Sequence, residues 1–137
     1  MKLVRQDGEQ DCGPASVATL CGKTLEETTY FIHKLMGRKG KTSSGYLIKA
    51  IEHFGRQVVG KKCTAIGRRK LFELENDALL GCFVLVPASD ERFAEDTQRK
   101  VYGYKHWAVW DCRRKTILDP YRHERPLLVD KLIEVVK

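Results

Sequence analysis

The sequence predicts an α+β domain in which a helical first half precedes an antiparallel sheet. Three observations carry this expectation. Up to Gly55, apolar residues recur three and four positions apart between recognisable caps. From Gly81 onward, apolar residues gather into short runs bounded by turn-forming residues. No repeat, low-complexity tract or linker divides the 137 residues, so 1–137 is expected to form a single domain.

The first expected helix runs from Cys12 to Leu20, with Ala15, Val17, Ala18 and Leu20 apolar and Cys21-Gly22 closing it. Pro14 fits because a first helical turn has no intrahelical donor to lose. Thr24-Leu25-Glu26-Glu27 reads as a capping box, opening a helix through Phe31, Ile32 and Leu35 that ends near Gly37. Ser43 or Ser44 caps a third helix, in which Tyr46, Leu47, Ala50, Ile51 and Phe54 recur before Gly55. In the second half, Gln57 to Cys63 reads as a weakly marked strand, and Leu71 to Asn76 as a short helix or turn. Gly81 to Pro87 is a compact apolar run, expected to be a buried strand. Ala88 to Lys105 is charged and aperiodic and reads as a mobile loop. His106 to Asp111 and Lys115 to Asp119 form a hairpin around Cys112-Arg113. Leu127 to Val136 fits a helix or a strand; Pro126 before it, and Asp130-Lys131 interrupting its alternation, tip the reading to helix.

Bulk properties exclude several classes. With 42% hydrophobic and 31% charged residues, the chain reads as an ordinary soluble globule able to bury a core unaided. No apolar run approaches the roughly 18 residues that span a bilayer. The opening Met1-Lys2-Leu3-Val4-Arg5-Gln6-Asp7 turns polar at once, unlike a secretory signal, so a cytoplasmic location is expected. Five cysteines, an odd number with no Cys-x-x-Cys spacing, argue against a disulfide scaffold or zinc site. Cys21, Cys63, Cys82 and Cys112 read as small, mostly buried apolar residues, and neither metal nor cofactor is expected. The formal charge of +7 is densest between Arg56 and Lys70. A solvated face is the plainer reading and an acidic partner the sharper one; without a nucleic-acid fold signature, nucleic acid is not the expected partner.

Chemistry concentrates at the two ends of the chain. Cys12 opens a helix, where the partial positive charge of the N-terminus favours a thiolate. A turn centred on Cys112-Arg113 sets His106 opposite Asp119, with Cβ atoms roughly 4.5–5.5 Å apart. The carboxylate can then hold one imidazole nitrogen while the other faces a thiol. Asp111 is the poorer carboxylate, since period-two alternation turns it to the other face. Gln6 can donate to an oxyanion together with the Cys12 backbone N–H. Gln10 is its rival, but two residues before the thiol it is expected to lie too close along the chain to fold back. Asp11 opposes a thiolate beside it, and Gly13 leaves room for a substrate backbone.

These residues, Gln6…Asp11-Cys12-Gly13-Pro14-Ala15, then His106-Trp107-Ala108-Val109, then Leu118-Asp119-Pro120, together resemble the papain-like bacteriocin-processing peptidases. Those are the N-terminal peptidase domains of peptide-exporting ABC transporters and their stand-alone relatives. The motif order spans nearly the whole chain. The resemblance implies a papain-like cysteine peptidase fold and a triad of Cys12, His106 and Asp119, with Gln6 in the oxyanion hole. It implies a peptide or protein substrate; family members cut leader peptides after a double glycine. The sequence departs from the family at Ser16, where a second cysteine is frequent, and in a shorter His-to-Asp interval. With no transmembrane or nucleotide-binding segment among the 137 residues, the export context is expected to be absent. The alternative is a peptide-binding module that keeps this fold with little or no turnover.

Overall fold

The computed structural model describes residues 1–8, 10–84, 104–121 and 127–136. Within them the chain is α+β. Helices α1 (Cys12–Cys21), α2 (Leu25–Met36) and α3 (Ser44–His53) precede strands β1 (Thr64–Ala65), β2 (Asp77–Val84), β3 (Tyr104–Asp111), β4 (Thr116–Leu118) and β5 (Leu127–Val135). The strands pair antiparallel in the order β1-β5-β2-β3-β4.

Local chemistry explains the helices. Glycine C-caps in the left-handed conformation end α1 at Gly22 and α2 at Gly37. The capping box of α2 forms on both sides: Glu27 N–H donates to Thr24 Oγ1, and Thr24 N–H donates to Glu27 Oε1. Residues 13–20 of α1 are all buried, because the helix lies between β2 and β3 on one side and α2 and α3 on the other. One core joins Val17, Leu20, Ile32, Leu47, Ile51, Leu79, Val109 and Ile133. A second gathers Leu74, Ala78, Leu80, Trp110 and Leu132. Alternate residues of β2 and β3 thus feed two cores, as the period-two pleat requires.

Several expectations are corrected. Gln57 to Cys63 is not a strand. Val58 makes one isolated bridge to Val135, then Val59–Lys61 coils into a short 3-10 turn in which Gly60 and Lys61 have positive φ (65° and 51°). The terminal segment 127–135 is strand β5, not helix. Opposite it, Gly81 pairs with Lys131 and Cys82 with Val129, so Asp130 is an extra residue in a bulge. That bulge is the break in alternation at Asp130-Lys131. The buried strand predicted from Gly81 begins earlier, at Asp77; its expected end at residues 85–87 lies outside the described residues. So does most of the loop expected at Ala88–Lys105, whose last two residues instead open β3.

The first turn of α1 is anchored from below. Thr28 on α2, fully buried, donates its hydroxyl to Pro14 O at 2.9 Å. Thr19 accepts from Val4 N–H and donates to Ala15 O, pinning the N-terminal segment along α1. Thr28→Val keeps the shape and deletes the buried donor. It is expected to lower stability by about 1–2 kcal/mol, read as a lower urea midpoint with unchanged m-value.

Candidate active site

Segments distant in the chain meet at one cleft of about 340 Å³, lined among others by Cys12 at the start of α1 and by His106 and Trp107 of β3. His106 Nε2 contacts Asp119 Oδ1 at 2.6 Å, with the side chains 3% and 12% exposed. Nδ1 is thereby the ring nitrogen not engaged by Asp119, and the Cys12 side chain is near enough to act on the titration of the ring. Asp119 is held in turn: its Oδ1 accepts the Tyr121 N–H at 3.0 Å across Pro120.

The hairpin achieves this with a register different from the expected one. Asp111 pairs with Thr116, Trp110 with Ile117 and Val109 with Leu118, around a four-residue connection, Cys112–Lys115, with Lys115 left-handed (φ 53°). Continued one residue beyond β4, this register sets Asp119 across from Ala108, not His106. The shift is two residues, so His106 keeps the same face as a diagonal neighbour, roughly 7–8 Å away and within reach of an imidazole. Asp111 is turned to its own hairpin, accepting the Arg114 N–H.

Electrostatics follow from burial and partners. Burial pulls the His106 imidazole down, but hydrogen bonds to Asp119 and Cys12, with the negative charge of both, outweigh it and raise the group from 6.5 to about 9. The ring therefore stays protonated at neutral pH, as the charge partner a thiolate needs. Burial pushes the Cys21 thiol up to about 11, that of Cys82 up to about 12, and that of Cys63 upward as well. All five cysteines are free; Cys82 and Cys112 are buried, whereas Cys21 and Cys63 are half-buried rather than interior.

The remaining predicted residues fall as follows. Gln6 lies beside the turn that follows β4, its backbone N–H donating to Pro120 O at 3.2 Å. Its side-chain amide donates to Gly8 O at 2.8 Å, and its Oε1 is buried without a partner. An oxyanion role thus needs the second amide hydrogen or another rotamer. Gln10 lines a separate hollow with Asp11, Thr29 and His33. The Asp11 carboxylate folds back to accept the Gly8 N–H at 3.2 Å and does not cap α1. The first amides of α1 therefore have no side-chain cap from it, and Cys12, as the first helical residue, has no intrahelical acceptor for its N–H. Gly13 does not make room for substrate. It is buried, and a Cβ there would meet Leu47 Cδ2 at 3.1 Å and Thr42 Cβ at 3.2 Å, so its bareness admits the start of α3.

The sequence reading misses the far wall of the cleft: Lys41, Thr42, Ser43 and Ser44 before and within α3, Lys105 on β3, and Lys131 on β5. The Trp107 indole N–H donates to Thr42 O at 3.3 Å and draws this wall to the strand that carries His106. Of the expected basic face, Arg56 bonds Leu20 O and Asp77, Lys61 pairs with Glu52, and Arg69 with Glu134. Among the described residues no helix is long and apolar enough to cross a membrane.

Comparison with models of protein families, with curated proteins and with solved structures finds no match to this chain.

His106 binds its proton more tightly folded than unfolded. Its contribution to stability is complete below pH 6.5 and is lost as pH rises through about 9. Asp119→Asn removes the main partner. Denaturation midpoints measured from neutral to alkaline pH are expected to show the decline at lower pH in this variant than in the wild type; superimposable profiles would break the assigned pairing.

Proposed function

We propose that the protein is a papain-like cysteine peptidase that cleaves a peptide bond through a thioester acyl-enzyme. The observation that carries this reading is the placement of the imidazole: His106 Nε2 contacts the hairpin carboxylate at 2.6 Å, and the ring shares one cleft with the helix-start thiol. The papain-like character is supported by a thiol at the head of a buried helix, packed on an antiparallel sheet that bears the base and its orienter.

In this mechanism the Cys12 thiolate attacks the scissile carbonyl carbon, forming a C–S bond. The carbonyl electron pair moves to oxygen, where the Cys12 N–H and a Gln6 amide hydrogen stabilise it. Collapse of that oxyanion breaks the C–N bond, and the protonated His106 gives its proton to the departing amine. A water molecule then loses a proton to His106 while its oxygen attacks the thioester carbon. The C–S bond breaks, releasing a carboxylic acid and the thiolate. Asp119 keeps the imidazole in the orientation both proton transfers need.

The Gln6 amide bonded to Gly8 O favours a second reading, a peptide-binding module with little or no turnover, because one donor of the oxyanion hole is turned away. The Gln6→Ala variant separates them. A peptidase is expected to lose about 10²–10³ in kcat, whereas a binding module shows no turnover to lose.

Three outcomes test the leading reading. Iodoacetamide is expected to alkylate Cys12 well before Cys21, Cys63 and Cys82, whose thiols burial holds protonated; mass spectrometry of timed digests reads the order, and equal labelling would remove the activated thiol. Products from a peptide library are expected with the wild type and absent with Cys12→Ala; persistent cleavage would reject Cys12 as nucleophile. The pH profile of kcat/KM is expected to fall on its alkaline side near 9, as the imidazolium loses its proton.

A further inference from the structure

We infer that the cleft selects peptides carrying an acidic residue beside the scissile bond; this rests on the peptidase reading and names its substrate class. Lys41, Lys105 and Lys131 line the cleft together with Cys12 and His106, and among the described residues the one acidic residue lining it is Asp130. Among the described residues none of the three lysines forms an ion pair, in contrast to Arg56, Lys61 and Arg69 elsewhere on the molecule.

Two further features point to an anion. The N-terminus of α3, a ten-residue helix, opens on the cleft through Ser43 and Ser44, and Ser43 makes no side-chain capping bond. Its first-turn amides lack intrahelical acceptors and carry a partial positive charge. Beside it Thr42, only 7% exposed, also lines the cleft, and its Oγ1 is buried with no hydrogen-bond partner. A buried hydroxyl without a partner is costly, and a carboxylate seated at the head of α3 would satisfy it. Lys41 immediately precedes this group in the chain. Lys131 is held in place independently: a Cβ at Gly81 would stand 2.6 Å from its Cγ, and its ammonium lies 5.3 Å from the centre of the Trp107 ring. A peptide carboxylate therefore meets a helix N-terminus, a hydroxyl and ammonium groups in one cleft with the reactive thiol.

The test uses paired peptides that differ only in Glu against Gln, or Asp against Asn, at positions flanking the cut. For wild-type protein kcat/KM is expected to be about tenfold higher for the acidic member, with the ratio shrinking at high salt. Lys41→Gln/Lys105→Gln, both at exposed positions, is expected to bring the ratio towards one. Lys62→Gln/Lys70→Gln, exposed and outside the cleft, is expected to keep it. Equal cleavage of both members by the wild type, or equal loss of preference in both double variants, would overturn the inference. The same peptides are titrated against Cys12→Ala protein, where binding is read without turnover. If wild type cuts nothing while this variant binds the acidic member more tightly, the peptidase reading fails and the acidic selectivity stands. If neither member is preferred in binding or cleavage, the selectivity fails, whatever becomes of the chemistry.

Discussion

The 2.6 Å contact between His106 and Asp119 is the interaction on which the rest of the site depends. An imidazole only 3% exposed would ordinarily shed its proton, because burial disfavours the charged form. Here the carboxylate and the thiol reverse that tendency, and the ring remains cationic at neutral pH. Without Asp119, the same burial that excludes water from the ring would pull it back towards the neutral form. The turn at Asp119-Pro120-Tyr121 is therefore as much part of the site as the histidine, since the Tyr121 N–H fixes the carboxylate that fixes the ring.

The fold serves this contact by bringing a rigid helix end to it. Cys12 heads a helix buried from Gly13 to Leu20, anchored by the Thr28 hydroxyl on Pro14 and by Thr19 on the N-terminal segment. Gly13 belongs to the same arrangement, since its lack of a side chain lets Thr42 and Leu47 of the α3 region close on α1. The N-terminal segment joins in from the other direction: Gln6 bonds Pro120, next to the carboxylate. Packing rather than loop conformation thus positions the sulfur relative to the ring.

What the sequence makes legible is local. The helices are readable because their signals lie within a turn of where they act: Thr24 with Glu27, Gly22 and Gly37 as left-handed stops. The hairpin is readable in existence and face but not in register, since nothing short-range distinguishes a two-residue from a four-residue connection when Lys115 adopts positive φ. The pairing of His106 with Asp119 survives that error because a shift of two preserves the face. Strand β5 is misread because one extra residue, Asp130, mimics the loss of period two. Convergence of Cys12 on His106 is visible in the sequence only through a resemblance in motif order. The lysine- and hydroxyl-lined wall is not visible at all, because the bond from Trp107 to Thr42 spans 65 residues and leaves no periodic trace.

The interior position of α1 has a dynamic corollary. Amide protons on a helix sandwiched between a sheet and two other helices exchange with solvent through the largest openings a domain undergoes, not through fraying. The thiol's support is accordingly tied to a fully buried stretch of helix. Gradual warming should leave the crevice geometry whole until the entire domain melts, so that inactivation and cooperative unfolding coincide instead of following one another.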